Sequence, residues 1–443
     1  MGVVQLTTVT AINMMGSGII LLPATLAEIG TISIFAWILA SIGATILAFA
    51  FARCGMHTKK VGGMGGYAEY HFGRAGNFLS NFCYTISLII ANAAIASGVV
   101  SYSSYVFGLR LSPLEVCLAT IGVLIVAATI SLVGPKKFGK FTSFGVACVV
   151  LPVIGLIVFG SFHFDSSIYL TAWNPQNLPF SETMKSSIAV IIWAFLGLET
   201  ACANSDTVEN PEKNVPIAVM AGTLLAGLCY TTSTAIIGGL VPYQELMVSG
   251  APFGLAYASM FGDRVGHIVS CMLVCSCFVS LTAWQFTVSE VAREASTIGL
   301  FPKFLSKVNS FRTPYVAIGT LVVIQSAMTL SSMSPTLLKQ FHILINLAVM
   351  VNLIPYLLAM ASVSDLQKAE DIPPKKARIA NIAGVVGGIY SVYAVYGCGW
   401  TVILSGFAVT GIGLIIYAMV SSRLRYMPAV QVASATAFQS DGK

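Results

Sequence analysis

The chain runs to 443 residues, of which 56% are hydrophobic and 9% charged, with a formal net charge of +6. Soluble domains carry about 25% charged residues, so this composition excludes a soluble enzyme or binding module and describes a polytopic membrane protein. At about 20 apolar residues per span, the length accommodates about twelve spans with short loops and no separate soluble domain.

The first span is expected over residues 3–28, interrupted at Gly16-Ser17-Gly18, and the second over 33–54. No secretory signal is expected ahead of it, because residues 1–6 lack a basic stretch. A polar, glycine-rich connection over 59–73 follows, then spans over 77–107 and 113–133, a basic loop with Lys136, Lys137 and Lys140, and a fifth span over 144–162. A polar loop around Trp173 leads to the sixth span, 182–202, and an acidic, proline-marked loop over 206–216 to the seventh, ending near 240. The eighth is long, 265–298; the ninth and tenth cover 316–333 and 338–362. A charged loop over 365–378 precedes the last two spans, 379–396 and 399–420.

With the N-terminus inside, 19 of the 23 Lys and Arg fall on the inner side and 4 on the outer. That bias obeys the positive-inside rule and puts both termini in the cytoplasm. An odd number of spans would destroy it.

The sixth span contains Trp193-Ala-Phe-Leu-Gly-Leu-Glu199. A carboxylate at the centre of a membrane helix costs about 3 kcal/mol on insertion scales. Gly197 weakens the helix just before it. The first span is interrupted at an equivalent depth, and paired interruptions in two halves point to a transport site at the membrane midplane. Because the first span starts inside and the sixth outside, the two five-span sets would be inverted repeats over residues 1–162 and 163–362, with 363–443 added. The alternative reading of each glycine is close helix packing. Glu199 is therefore a candidate cation ligand, and the half-helix after Gly18, with its free N–H groups and the Ser17 hydroxyl, suits a carboxylate. One site of this kind takes an amino acid at both ends and a diamine at one. Trp193 and Trp284 are candidate cation–π faces, each contributing about 0.5–2 kcal/mol over an ammonium, or else packing residues. Asn92 and Asn352 are polar groups in apolar runs, suited to interhelical bonding.

Other motifs carry less. Gly62 to Tyr70 (GGMGGYAEY) matches no nucleotide fingerprint and reads as a gate or a glycine turn with a solvated Glu69. Gly134 to Lys140 nearly matches a phosphate loop, but Phe141 stands where magnesium needs Ser or Thr, which excludes an ATP-driven pump. Glu290 and Arg293 are spaced to pair. Cys271, Cys275 and Cys277 read as buried small residues, and neither cysteines nor histidines show metal spacing. No HExxH motif and no Ser–His or Asp–Asp pair supports a membrane enzyme. No cofactor, metal or nucleic acid is implied.

Asn13 to Pro23, Gly62 to Tyr70, Trp193 to Ala203, VENPEKNVPIAV at 208–219 and Trp284 to Thr287 resemble the basic amino acid/polyamine antiporters, a branch of the amino acid–polyamine–organocation superfamily. The resemblance covers nearly the whole chain. It implies a LeuT-type fold of 5+5 inverted repeats with broken first and sixth helices, in the bacterial inner membrane. It also implies putrescine uptake and putrescine–ornithine exchange, with cadaverine–lysine or arginine–agmatine exchange as the alternatives. Carried over by position, Asn13, Ser17, Gly18, Asn92, Trp193, Glu199 and Trp284 are expected at the substrate. Tyr84 and Tyr356 are expected at the outer gate, and Glu69, Tyr70, Cys54 and Tyr417 along the pathway. Arg293 and Leu300 stand where the family has Lys and Tyr, which bears on the excretion direction. The candidate partners are the two amines, the lipid bilayer and a second copy of the chain.

Overall fold

In the computed structural model the described residues are 3–15, 18–199, 210–331, 333 and 336–424, and every regular element among them is helical. Nine of these helices are long and apolar enough to cross a membrane, and the chain is an all-α, multi-pass membrane protein. The first interrupted segment consists of α1 (Val3–Met14) and α2 (Leu22–Ala27), joined through turns at 18–21. Then come α3 (Ile34–His57), α4 (Met64–Phe107), α5 (Pro113–Ser131), α6 (Pro135–His163) and the short α7 (Ser166–Thr171). The second interrupted segment starts with α8 (Phe180–Ile191) and tightens into a 3₁₀ turn over Ile192–Phe195. The remainder is α9 (Pro211–Leu240), α10 (Tyr243–Leu246), α11 (Pro252–Phe261), α12 (Asp263–Thr297), α13 (Tyr315–Ser331), α14 (Leu337–Ala369), α15 (Pro374–Gly397) and α16 (Trp400–Leu424).

Local chemistry fixes these boundaries. Ser112 and Glu115 form a reciprocal capping box ahead of α5, with Pro113 in its first turn. Proline also opens α6, α9, α11 and α15, where its missing N–H would have no helical partner. Gly108, at φ +64°, ends α4 in the left-handed conformation. In the helix interiors, hydroxyls bond back to the carbonyl four residues earlier, as Thr10 does to Leu6 at 2.8 Å and Ser362 to Leu358 at 2.8 Å, so they need no water.

The bundle is built around α4, whose most apolar stretch is 94% buried within the protein, whereas that of α16 is 17% buried and faces outward. Large apolar side chains such as Ile42, Leu151, Leu228, Ile389 and Phe407 stand exposed on the outer faces, as a lipid contact surface requires.

The structure differs from the sequence reading in five places. The glycine-rich connection at 59–73 is irregular only as far as 63, with Gly62 and Gly63 at φ +105° and +54°; from Met64 onward it is helical, kinked at Gly73 (φ +61°). Here glycine serves close packing: a Cβ on Gly65 would sit 2.0 Å from the Asn81 amide. The basic stretch after Gly134 is the start of α6 rather than a loop. The interruption expected at 196–198 of the sixth segment begins earlier, because the α-helix stops at Ile191 and gives way to a 3₁₀ turn, and residues 200–202 lie outside the described residues. The connection between α9 and α12 folds into α10 and α11. Finally, Cys277 is buried but Cys271 and Cys275 are exposed, because α12 turns that face outward.

Candidate functional site

The two interrupted segments meet. A Cβ on Gly18 would lie 3.1 Å from the Ala194 Cα, so only glycine allows the first break to rest on the 3₁₀ turn of the second. Leu196 adopts an extended conformation, and Gly197 follows at φ +103°, a value L side chains rarely adopt. A Cβ there would stand 3.0 Å from the Trp284 ring of α12. The bend returns Glu199 onto its own segment, where the Gly197 N–H donates to Oε2 at 3.1 Å.

The Glu199 carboxylate is shared by two tyrosines. Tyr84 of α4 donates its hydroxyl to Oε1 at 2.7 Å, and Tyr356 of α14 donates to Oε2 at 2.5 Å. Hydrogen bonds to a charged acceptor are about twice as strong as neutral ones. Among the described residues no Lys or Arg pairs with this carboxylate. Glu199 opens onto a small chamber, about 30 Å³ in this conformation, whose wall includes Gly18, Trp193, Gly197, Trp284 and Asn352. Trp193 is 5% exposed, packs edge-on against Phe341 with ring centroids 6.2 Å apart, and its indole N–H has no partner among the described residues. The chamber is therefore mostly apolar and aromatic, with one acidic pole, which suits a small, flexible cation.

The remaining predicted residues separate into three groups. Gly18, Trp193, Trp284 and Glu199 line the chamber together, with Tyr84 and Tyr356 holding the carboxylate. Ser17 and the side chain of Asn13 lie outside the described residues. The others are elsewhere. Asn92 donates to Gln285 at 3.2 Å, and Gln285 and Gln325 exchange amide bonds at 2.7 and 3.1 Å, forming a buried ladder across α4, α12 and α13. Cys54 is fully buried near the end of α3. Tyr417 of α16 packs against Phe78, ring centroids 5.3 Å apart.

Glu69 and Tyr70 belong to a second polar cluster at one end of the bundle. Asn77 donates to Glu69 at 2.6 Å, with Lys60 Nζ 3.5 Å away. The Tyr70 hydroxyl donates to Glu370 at 2.5 Å, and Lys59 Nζ lies 2.5 Å from the same carboxylate. This cluster ties the arm preceding Gly73 to the end of α14. Glu290 and Arg293 pair at 2.7 Å.

The sequence reading did not assign Asn352 to the chamber. It is 1% exposed and lines the wall beside Tyr356. The available signal was its spacing of four residues from Tyr356, which places both on one face of α14. Gln285 and Gln325 gave no comparable cue, since nothing in sequence pairs two amides 40 residues apart. Among the described residues no group of His, Cys, Asp and Glu is arranged to hold a metal ion.

Comparison with known proteins gives the same direction. Residues 1–426 match the family model described as amino acid permease. The putrescine transporter PotE of Escherichia coli K12 is 50% identical over 423 residues, covering 96% of each chain. The PotE of Haemophilus influenzae is 50% identical over 420 residues, 95% of this chain and 97% of that one. The cadaverine/lysine antiporter of E. coli K12 is 32% identical over 360 residues, 80% of this chain and 81% of that one.

Proposed function

The chain belongs to the amino acid permease family, and on that premise we propose that it moves putrescine across a bacterial inner membrane, both in uptake and in exchange for ornithine, by alternating access. The observation that carries this reading is the Glu199 carboxylate, held by Tyr84 and Tyr356 at the edge of an aromatic chamber with no Lys or Arg among the described residues to neutralise it. A negative charge so placed is costly unless a cation answers it. The identity to two putrescine transporters, 50% against 32% for the cadaverine/lysine antiporter, favours putrescine over its longer homologue.

In this reading an ammonium displaces one tyrosine hydroxyl from Glu199 and sits against Trp193 and Trp284. The far end of a diamine needs only the apolar wall, whereas the carboxylate of ornithine takes the N–H groups near Gly18 with Ser17 and Asn13. Tyr84 and Tyr356 are gating residues, because they must yield Glu199 to the substrate. Glu69, Tyr70, Cys54 and Tyr417 act along the pathway, and Asn92 acts through its amide ladder. Residues 1–162 and 163–362 form two inverted repeats within a twelve-span LeuT-type arrangement, residues 363–443 are appended, and both termini are cytoplasmic. No bond is made or broken, so the protein is a transporter and not an enzyme.

Counterflow in proteoliposomes tests this directly. Labelled putrescine outside is expected to accumulate against internal putrescine or ornithine, and much less against lysine, cadaverine, arginine or agmatine. Faster exchange with cadaverine and lysine would make the chain a cadaverine–lysine exchanger instead, and equal exchange would overturn its selectivity for putrescine and ornithine.

A further inference from the structure

Between the last turns of α14 and the first turns of α15 lies an open groove of about 590 Å³, at the end of the bundle where Lys59 meets Glu370. Gln367, Lys368, Arg378 and Asn381 form its polar wall, and Ile382 and Val385 its apolar one. Gln367 is 1% exposed, yet neither its Nε2 nor its Oε1 has a hydrogen-bond partner among the described residues. The Oδ1 of Asn381 is also unbonded. Buried amides are rarely left so, because an unmade bond keeps the full desolvation penalty.

The charges indicate what completes the site. Lys368 is 77% exposed and reaches only Asp365, at 3.7 Å, whose other oxygen is held by His71. Arg378 is exposed and makes no ion pair with the described residues. Two cations and the unpartnered Gln367 Nε2–H around one opening select a multidentate anion and reject a diamine, while the amide oxygens of Gln367 and Asn381, which only accept, call for a hydroxyl donor beside it. The apolar wall selects among anions. Ile382, Val385 and Ile389 are 55%, 64% and 66% exposed and fall on one face of α15, running from the polar wall along the lipid-facing surface. A soluble phosphate has no use for that stripe; an acyl chain does.

We propose that this groove binds an anionic phospholipid, with Lys368, Arg378 and the Gln367 Nε2–H around the phosphate, Asn381 Oδ1 accepting from a headgroup hydroxyl, and the acyl chain along Ile382, Val385 and Ile389. Basic pockets between membrane helices are known hosts for such headgroups. The lipid would bridge α14 to α15, and α14 carries Tyr356 and Asn352 into the transport chamber. The site is independent of which amine the protein carries.

Native mass spectrometry of the delipidated full chain, titrated with phosphatidylglycerol, phosphatidylcholine or glycerol 3-phosphate, tests this. The wild type is expected to hold phosphatidylglycerol and to bind the other two at least tenfold more weakly. Lys368→Gln with Arg378→Gln is expected to weaken phosphatidylglycerol binding roughly 30-fold, at about fivefold per cation. Lys303→Gln with Lys307→Gln, which removes two charges elsewhere, is expected to leave binding unchanged. Equal loss in both double variants would reduce the effect to bulk attraction and overturn the proposal. So would wild-type affinity in the first pair, or equal binding of glycerol 3-phosphate. A measurement on the wild type needs no variant: its Tm is expected to rise with phosphatidylglycerol and not with phosphatidylcholine, and the absence of that difference also overturns the site.

Discussion

A carboxylate inside a membrane protein needs either a fixed cation or a mobile one, and Glu199 is given two phenols instead. Tyrosine hydroxyls orient and stabilise the charge without cancelling it, so the carboxylate keeps its attraction for an ammonium. Glu199→Gln keeps the shape and removes the charge. Saturable putrescine uptake is expected to disappear while the protein still reaches the membrane; wild-type uptake kinetics in that variant would sink the site. Tyr356→Phe removes one charge-assisted hydrogen bond, of the order of 1.5–3 kcal/mol, which the ammonium otherwise has to displace, and is expected to lower the KM for putrescine by about tenfold with normal surface amounts. Much of this site was legible in the chain, because a lone Glu in an apolar run beside Trp and Gly is conspicuous. Tyr84 and Tyr356 came from family resemblance, since a tyrosine in a membrane helix does not announce which residue it faces. Asn352 and the Gln285–Gln325 ladder depend on contacts between helices distant in sequence.

At the scale of elements, the two breaks do different work with the same residue type. Gly197 is needed for its backbone: φ +103° leaves an L side chain strained, and a Cβ would press on Trp284 at 3.0 Å. Gly63 also has positive φ, +54°, but a Cβ there meets nothing within 4 Å. Gly197→Ala is therefore expected to cut uptake at least tenfold, and Gly63→Ala, at φ/ψ 54°/−126°, to keep near-normal uptake at a stability cost of about 1–3 kcal/mol; the comparison is made on matched amounts in vesicles. Equal behaviour of the two would mean that Trp284 has no stake in the bend. The first break is tested by charge: Ser17→Leu is expected to impair ornithine exchange more than putrescine binding, because only ornithine brings a carboxylate to residues 16–18. Parallel losses of both in counterflow and binding assays would count against split recognition. Span positions were readable, because an apolar run of about 20 residues is the length that a bilayer demands of a helix. The arm over 64–72 was not readable, because glycines that permit a turn and glycines that permit close packing look alike in sequence.

For the whole molecule, alternating access requires that each end of the bundle open in turn. At the Lys59 end, the arm before Gly73 is tied to α14 by Lys59 and Tyr70 on Glu370 and by His71 on Asp365. These contacts join the helix that carries Tyr84 to the helix that carries Tyr356, so a shift at Glu199 and a shift at this latch are mechanically linked. The Lys59 ammonium, and after it the Tyr70 hydroxyl, hold the Glu370 carboxyl below the usual carboxylate range. A carboxyl whose folded pKa is depressed stabilises the folded state above its unfolded value, about 4.3, and loses that contribution as pH falls through the lower folded value. The difference in Tm between wild type and Glu370→Gln is therefore expected to be constant from pH 7 to about pH 5 and to close below about pH 4. Because Lys59 is 82% exposed, the gap at pH 7 should be small, on the order of 1–2 °C, and should shrink in high salt. Thermal unfolding of the two proteins in the same detergent across pH 3–7 decides it: a gap that persists undiminished at pH 3, or that widens with acid, would mean that Glu370 is not held as a carboxylate by Lys59, and the latch would have to rest on His71 and Asp365 alone.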